Sequence, residues 1–373
     1  MSAVARPTTS STRRRLLGET PVFWVGALCV SAAILSIPSW VDPYALLTYN
    51  GLLAPVCMAI GLALLWGRMG VLSLGHVVFF GIGGYAYGIA GINWVSEGGS
   101  TVLALAVGLV IPMAFAAVIG TVMFYGRLQG VYVAILTFVI TIVIHTFLQQ
   151  TAGSQWKIGT AFLGGTNGLG RSSGQITGPP SLNLFGVDFS GSTSNFFYLA
   201  VGVALAVLLI IRLALRGHWG AVLAGIRDAP ERTESFGYDI RLIQLVVFVL
   251  GAGLAGFSGV LFASWGNFIT PAVFGVTSTI LPIIWVAVAG RSSTVGAAIS
   301  AILLGWIGQR LSQNGDYAFI ILGTLLIVAV TVAPAGLAPT LRAAGERVAG
   351  RFGLSAGKEG ADVRSEAVNA TRR

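Results

Sequence analysis

Charge is scarce in this sequence. Only 22 Lys and Arg and 13 Asp and Glu occur among 373 residues, which is 9% of the chain, whereas a soluble domain carries roughly 25% charged residues. Hydrophobic residues make up 55% of the chain, and the mean hydropathy is +0.84. This composition excludes an ordinary soluble domain and indicates a polytopic membrane protein.

Catalytic and energy-coupling motifs are also missing from the sequence. All 13 acidic residues fall in loops, in tails or at the edges of hydrophobic runs, which argues against proton or sodium coupling through a carboxylate at membrane depth. The sequence contains no H-E-x-x-H motif, no Asp-rich pair and no G-x-x-x-x-G-K-[ST] phosphate loop. We therefore expect a chain that is not an enzyme and that obtains energy, if it needs any, from a partner.

Cysteine and histidine are rare as well. Cys29 and Cys57 both lie within hydrophobic runs, so they are interpreted as small packing residues. Neither a disulfide nor a metal site is predicted, and no cofactor is expected.

Long uncharged runs dominate what is present. Leu242 to Gly290 contains no charged residue, which is enough for two crossings at roughly 20 residues each. Backbone amides in lipid must be bonded within the segment, so the sequence predicts an all-α fold. The ten predicted spans are 22–38, 46–66, 71–92, 101–124, 130–148, 197–215, 242–264, 276–290, 294–311 and 317–338. The eighth is short, and an eight-span version that merges the segments around Arg291 into a re-entrant pair stays open.

The distribution of basic residues predicts the orientation. If the N-terminus is cytoplasmic, 19 of the 22 Lys and Arg lie on the cytoplasmic side, as the positive-inside rule requires. The net charge of +9 then reflects topology and attraction to membrane lipid, not binding of nucleic acid. The predicted organisation is a cytoplasmic tail (1–20), a transmembrane permease domain (21–338) with an external loop (149–196) and a cytoplasmic coupling loop (216–241), and a cytoplasmic tail (339–373).

The stretch from Arg216 to Arg241, here called the polar segment, interrupts the hydrophobic runs with four basic and four acidic residues. Asp228 and Pro230 are typical of a helix start and Gly237 of a helix end, so a short helix is predicted over Glu231 to Ser235. Such a helix is too short to be stable alone, which favours a surface that docks on a partner. A solvated turn between spans is the alternative.

Polar residues interrupt the start of the third predicted span. Ser73, Gly75 and His76 precede Phe79 and Phe80 in an otherwise apolar run. Such a break can present hydrogen-bonding groups to a solute inside the membrane. The alternative for His76 is a buried histidine whose hydrogen bonds are made within the protein core. The alternative for the glycines is close helix packing.

Two further sets of residues are weaker candidates. Thr137 and Thr141 lie one turn apart on the fifth predicted span, but threonines in membrane helices often bond their own backbone. Thr166 and Asn167 sit among glycines in the external loop, either in a plain surface turn or at a gate or contact for an incoming solute or soluble partner.

Four segments in order carry a resemblance to a known family: VLSLGH with FFGIGGYAYG, GGTNGL, AGIRDAPERTESFGYDIRLIQL, and IWVAVAGRSSTVGA. The chain resembles, from roughly Leu52 to Leu337, the second permease of ATP-binding cassette (ABC) importers for branched-chain amino acids, urea and short-chain amides. The sequence around Trp285 and the GGYAYGIAG run are more similar to the urea-type permease than to the leucine-type one. Urea is therefore the first expectation for the solute, and a branched-chain amino acid is the second.

This resemblance implies a heteromeric importer in the plasma (inner) membrane of a bacterium. Its expected partners are a second permease subunit, cytoplasmic ATP-binding subunits and an external solute-binding protein. The residues expected to contact the ATP-binding subunits are Gly225, Arg227, Asp228, Glu231, Arg232, Phe236, Gly237 and Tyr238. Those expected along the substrate pathway are Ser73, Gly75, His76, Phe79, Phe80, Thr137, Thr166 and Asn167.

Two alternatives from other classes stay open. A facilitative channel for a small neutral solute such as urea or an amide would need the polar break but no docking helix, and uptake through it would persist without ATP. A structural membrane subunit would tolerate loss of Ser73 and His76.

Overall fold

A computed structural model describes residues 35–95, 100–128, 130–170, 178–291, 293–312 and 323–324. Most of this part is helical. The helices are α1 (Pro43–Leu53), α2 (Val56–Ala63), α3 (Val77–Trp94), α4 (Val102–Tyr125), α5 (Val131–Gln149), α6 (Ser194–Arg216), α7 (His218–Asp228), α8 (Pro230–Ser235), α9 (Ile240–Gly266), α10 (Val276–Ala289) and α11 (Thr294–Ser312). A π-helical turn (Leu64–Met69) continues α2, and short 3-10 turns cover Ile37–Ser39, Gly165–Asn167 and Pro271–Phe274.

Eight of the ten predicted spans coincide with helices. Seven helical segments in the described residues are long and apolar enough to cross a membrane, the first being Pro43–Met69, and α10 is a shorter apolar helix. The predicted all-α polytopic architecture is therefore confirmed. The first and tenth predicted spans, 22–38 and 317–338, lie mostly outside the described residues.

The centre of the bundle is built around α9, which packs against α3, α4 and α2. Glycines allow this approach: a Cβ atom placed on Gly83 of α3 would overlap the backbone of Gly256 on α9. Small residues at helix crossings let membrane helices pack through backbone contacts, because lipid offers no hydrophobic drive for association. By contrast, only 22% of the most apolar stretch of α4 is buried within the chain. This is expected of a helix that faces lipid or a neighbouring subunit.

The described part of the connection between α5 and α6 folds as an ordered structure, here called the cap (residues 150–170 and 178–193). Two small antiparallel hairpins form it, one pairing β1 (Lys157–Ile158) with β2 (Ala161–Phe162) and the other β3 (Leu182–Leu184) with β4 (Val187–Phe189). The amide of Leu182 donates to the Ser264 hydroxyl at 2.8 Å, and the Tyr87 hydroxyl donates to the Pro180 carbonyl at 2.9 Å. The cap is thereby fastened to the ends of α3 and α9.

The opposite end of the bundle carries the polar segment, because α6 leads from the cap to it. The predicted short helix is present as α8, which begins at Pro230 as expected, but Asp228 is not a helix start: it is the last residue of α7. Asp228 lies in a continuous helix because Val222, Leu223 and Ile226 bury one face of α7 against the bundle. The end of the short helix is confirmed, since Gly237 adopts the left-handed φ of +87° just beyond it.

The start of the third span also differs from the prediction. The helix begins at Val77 and not at residue 71, and residues 71–73 have no regular structure. The reason is Gly70, whose φ of +77° ends the preceding π-helical turn and turns the chain inward.

Candidate functional site

A non-helical loop, Gly70–His76, connects the span that ends at Met69 to α3, and it runs from the exposed Gly70 to Ser73, Gly75 and His76, which are buried in the bundle. Its deepest residue, His76, lies beside Gly251 of α9, which is about 16 Å along that helix from Ile240 at 1.5 Å per residue. The hydrocarbon core is about 30 Å thick, so the loop reaches the middle of the membrane if α9 enters that core near Ile240. Non-helical backbone at this depth is tolerated only where protein buries it or where it lines a pathway.

The imidazole of His76 occupies a niche made by two glycines. A Cβ atom placed on Gly61 of α2 would lie 3.3 Å from His76 Nε2, and one placed on Gly251 would lie 3.5 Å from His76 Cε1. The ring fits between α2 and α9 because neither helix has a side chain at that level. The niche therefore depends on the absence of two side chains as much as on the presence of His76.

Two polar groups in this loop are buried without hydrogen bonds. His76 is 1% exposed and Ser73 is 0% exposed. The Ser73 hydroxyl has no hydrogen-bond partner among the described residues, and the ring nitrogens of His76 make no well-aligned hydrogen bond there, although the Gly251 backbone lies within reach of the ring. Leaving such groups unpaired costs roughly 1–3 kcal/mol each. Buried groups without partners need an explanation, and hydrogen bonds from a solute or a water molecule are one.

Aromatic rings form one wall of the niche. The Phe79 ring contacts the His76 ring edge to face at a centroid distance of 5.9 Å, and it packs on Phe248 at 5.4 Å. Phe80 points elsewhere and packs on Phe262 at 5.5 Å. The structure thus brings Phe79, but not Phe80, to His76.

Helix α5 holds the loop from the other side. The Gly75 amide donates to the Thr137 hydroxyl at 3.2 Å, and the Thr141 hydroxyl lies 3.4 Å from the Gly75 carbonyl. Both hydroxyls also donate to carbonyls of their own helix, Thr137 to Ala134 at 2.9 Å and Thr141 to Thr137 at 2.8 Å. The two threonines therefore position the loop, and their hydrogens are already engaged.

The α3 helix starts directly at this niche. The Val78 amide of its first turn donates to the Gly75 carbonyl of the loop at 2.9 Å, and the aligned peptide dipoles place partial positive charge at this end of the helix. This N-terminus, together with Ser73 and His76, is the candidate site for a solute with an acceptor or negatively charged group. Among the described residues no three His, Cys, Asp or Glu lie close enough to hold a metal ion.

The predicted loop residues Thr166 and Asn167 do not reach this site. They are exposed in the cap, in the 3-10 turn Gly165–Asn167. The following Leu169 pairs with Ile269, and its side chain is close to Gly88 near the far end of α3. Gly88 is about 18 Å along α3 from His76, at 1.5 Å per residue, so Thr166 and Asn167 lie at the other end of that helix.

Six of the eight residues predicted to couple to the ATP-binding subunits are exposed: Arg227, Asp228, Glu231, Arg232, Phe236 and Gly237. The other two are half-buried: Gly225 lies against Thr233, and the Tyr238 hydroxyl is 2.6 Å from His218 Nε2. Arg227, although exposed, also donates to the Gly67 carbonyl of the same chain at 2.9 Å.

Two adjacent residues at the end of α7 form an ion pair. Arg227 Nε donates to Asp228 Oδ1 at 2.8 Å. The hydrogen bond from Arg227 lowers the pKa of the Asp228 carboxyl, and it raises the pKa of the Arg227 guanidinium. Both groups are therefore charged throughout the neutral range.

Comparison with known proteins agrees with this architecture. Residues 48–330 match the model of a family described as the branched-chain amino acid transport system permease component. The chain belongs to this permease family. It is therefore a transport subunit and an integral protein of the inner membrane.

Two curated relatives of this permease support the assignment. Both are described as the high-affinity branched-chain amino acid transport system permease protein LivM, one from Salmonella typhimurium and one from Escherichia coli. Each is 28% identical over 311 residues, which cover 77% of this chain and 68% of the relative. No solved structure matches the permease. The expectation of a urea-type permease is not confirmed by these relatives.

Sequence reasoning missed three parts of the site. Gly61 and Gly251 could not be linked to His76 without knowing which helices meet, although both lie in small-residue runs. The contact between Arg227 and Gly67 joins residues 160 positions apart. The only local signal for the inward turn was Gly70, directly after Met69.

Proposed function

We propose that this permease moves a small polar solute into the cell as one subunit of an ATP-driven ABC importer. One observation carries the proposal: unpaired Ser73 and His76 lie at mid-membrane beside the start of α3. Transporters place solute sites at such breaks, where helix ends and freed polar groups replace the water that a solute loses. A purely structural subunit has no need of these unpaired groups.

The exposed part of the polar segment supports a soluble partner on the ATP side. Phe236 is 76% exposed and Trp219 58% exposed, beside the charged residues Glu231 and Arg232. Aromatic side chains ringed by polar groups are typical anchors of a protein interface. We assign this surface to contact with the cytoplasmic ATP-binding subunits. We assign the cap to the external face, where a solute-binding protein releases its bound solute. A second permease completes the pathway.

A branched-chain amino acid fits the site best. Its carboxylate suits the positive end of α3, and its apolar side chain suits the wall formed by Phe79. The relatives named for branched-chain amino acids support the same solute. Urea is the second candidate, on the resemblance around Trp285, although that side chain is buried within the bundle.

A facilitative channel is the less favoured alternative. It would leave the exposed aromatic and charged surface of the polar segment without a purpose. It would also carry solute down its gradient without ATP.

Uptake in cells tests the proposal. Cells that have and cells that lack the chain are compared for accumulation of labelled leucine and of labelled urea, before and after ATP depletion. We expect leucine to accumulate against its gradient only with the chain and with ATP. ATP-independent equilibration would contradict the importer, and accumulation of urea alone would replace the proposed solute.

A further inference from the structure

The span before the buried loop ends in a way that leaves backbone carbonyls free. The last carbonyls of a helix have no amide partner within it, and here the helix closes with the π-helical turn Leu64–Met69. The guanidinium of Arg227 donates through Nη1 to one of these carbonyls, that of Gly67, at 2.9 Å. A cation is favoured at this end of a helix because the peptide dipoles make it negative.

The Arg227 side chain is held from two further sides. Its Nε and Nη2 donate to the Asp228 carboxylate at 2.8 Å and 3.2 Å, which fixes the plane of the guanidinium. Its stem lies over Gly70, where an added Cβ atom would be 2.9 Å from Arg227 Cγ. Arg227 thus holds the π-helical turn through the Gly67 carbonyl and packs over Gly70, the residue at which the chain changes direction.

The helix that carries Arg227 is joined firmly to the exposed surface of the polar segment. The Thr233 hydroxyl of α8 lies against Gly225 of α7 and donates to the Ala229 carbonyl at 3.0 Å. The Ala229 amide in turn donates to the Gly225 carbonyl at 2.8 Å. Because of these contacts, a displacement of α8 also displaces α7 and its Arg227.

The π-helical turn leads directly to the niche. The Val71 amide donates to the Leu65 carbonyl at 3.2 Å, and the Leu65 side chain would lie 2.8 Å from a Cβ atom on Gly251. Leu65 thus packs against the same glycine as His76. Moving this turn moves the start of the Gly70–His76 loop and one wall of the niche together.

We propose that Arg227 is a positioning residue that transmits motion of the polar segment to the Ser73–His76 site, through its contacts with Gly67 and Gly70. Arg227 acts inside the chain and does not serve mainly to contact a partner. The inference rests on the proposed function, because it assumes that ATP-driven motion reaches the polar segment.

Accessibility of the loop reports this transmission. Ser73→Cys is introduced into a chain in which Cys29→Ala and Cys57→Ala remove the natural thiols. The complex is purified with the subunits that accompany it. Its labelling by a small maleimide is measured with and without ATP trapped by vanadate. The solute transported per ATP hydrolysed is measured in the same versions without Ser73→Cys.

Four versions are compared: the parent, Arg227→Ala, Arg227→Lys and Arg127→Ala. Arg127 is a matched control because it is an exposed arginine at the same end of the bundle, just after α4. We expect trapping to change the labelling rate at least fivefold in the parent and in Arg127→Ala. The change should fall below twofold in Arg227→Ala, and solute moved per ATP should drop at least tenfold. Arg227→Lys, which keeps one charged donor, should recover part of both.

The outcomes separate the inference from the proposed function. If the parent transports solute with ATP but shows no nucleotide-dependent labelling at Ser73→Cys, the pathway assignment fails. If the parent responds and Arg227→Ala responds equally, the pathway stands and the role of Arg227 is overturned. Failure of both Arg227 variants to assemble would likewise overturn it, by showing that Arg227 holds the fold together.

Discussion

The Gly75 amide donates a hydrogen bond to the Thr137 hydroxyl at 3.2 Å, and this bond ties the buried loop to α5. The contact is so close that a Cβ atom on Gly75 would overlap the Thr137 carbonyl. The polar break is thus held in place by a neighbouring helix whose own hydroxyls are already satisfied, which leaves Ser73 and His76 as the unpaired groups.

Gly75→Ala should displace the loop from α5. Because the added methyl group overlaps backbone, we expect overpacking of about 1–3 kcal/mol and a lower melting temperature in detergent. Gly202→Ala is the matched control, since a Cβ atom at Gly202 of α6 meets nothing within 4 Å and alanine favours a helix. Equal melting temperatures for the two variants would show that the loop does not depend on this contact.

Gly251→Val should fill the niche beside His76. The added atoms point toward Leu65 and the His76 ring, so they displace the ring while the outer surfaces stay the same. We expect uptake to fall at least tenfold while co-purification of partner subunits persists. Gly202→Val, made in the open part of α6, should transport normally. Normal uptake by Gly251→Val would place the pathway elsewhere.

Labelling of introduced cysteines tests the orientation. Phe185, 90% exposed at the tip of the β3–β4 hairpin, and Glu234, exposed on α8, lie at opposite ends of the bundle. Phe185→Cys should react in intact cells with a reagent that does not cross membranes, and Glu234→Cys only after the membrane is opened. The reverse pattern would invert the topology and assign the polar segment to the outside.

Phe236→Ala should weaken binding of the ATP-binding subunits. The ring is 76% exposed, and loss of a central aromatic anchor costs about 2 kcal/mol or more, roughly a thirtyfold loss of affinity. Phe185→Ala removes another exposed ring, at the other end of the bundle, and serves as the control. Co-purification of ATP-binding subunits that is equal in the two variants would argue against the docking surface.

The sequence alone was sufficient for the class of fold because lipid restricts the choices. Charge-free runs had to be helices, and eight of the predicted spans are helices in the described residues. The helix starts were less predictable. Val77 starts α3 because Gly70 turns the chain inward, and Asp228 stays in α7 because tertiary packing buries the face that carries Leu223.

The candidate site was only half visible in the sequence. Ser73 and His76 stood out because polar residues are rare in apolar runs. Their surroundings depend on contacts between distant helices, such as His76 with Gly251 and Arg227 with Gly67, which no local pattern encodes. The ordered structure of the cap was not predicted, because it depends on individual hydrogen bonds to helix ends, such as that from the Leu182 amide to the Ser264 hydroxyl.

Uptake by a His76→Leu variant tests the central claim most directly. Leucine keeps the bulk of the ring but offers no hydrogen bond to a solute, while His145→Leu makes the same change at a half-buried position on α5. We expect His76→Leu to assemble and to retain ATP hydrolysis, with uptake reduced at least a hundredfold, and His145→Leu to transport normally. Normal uptake by an assembled His76→Leu complex would contradict the account, and failure of that variant to assemble would make His76 a packing residue.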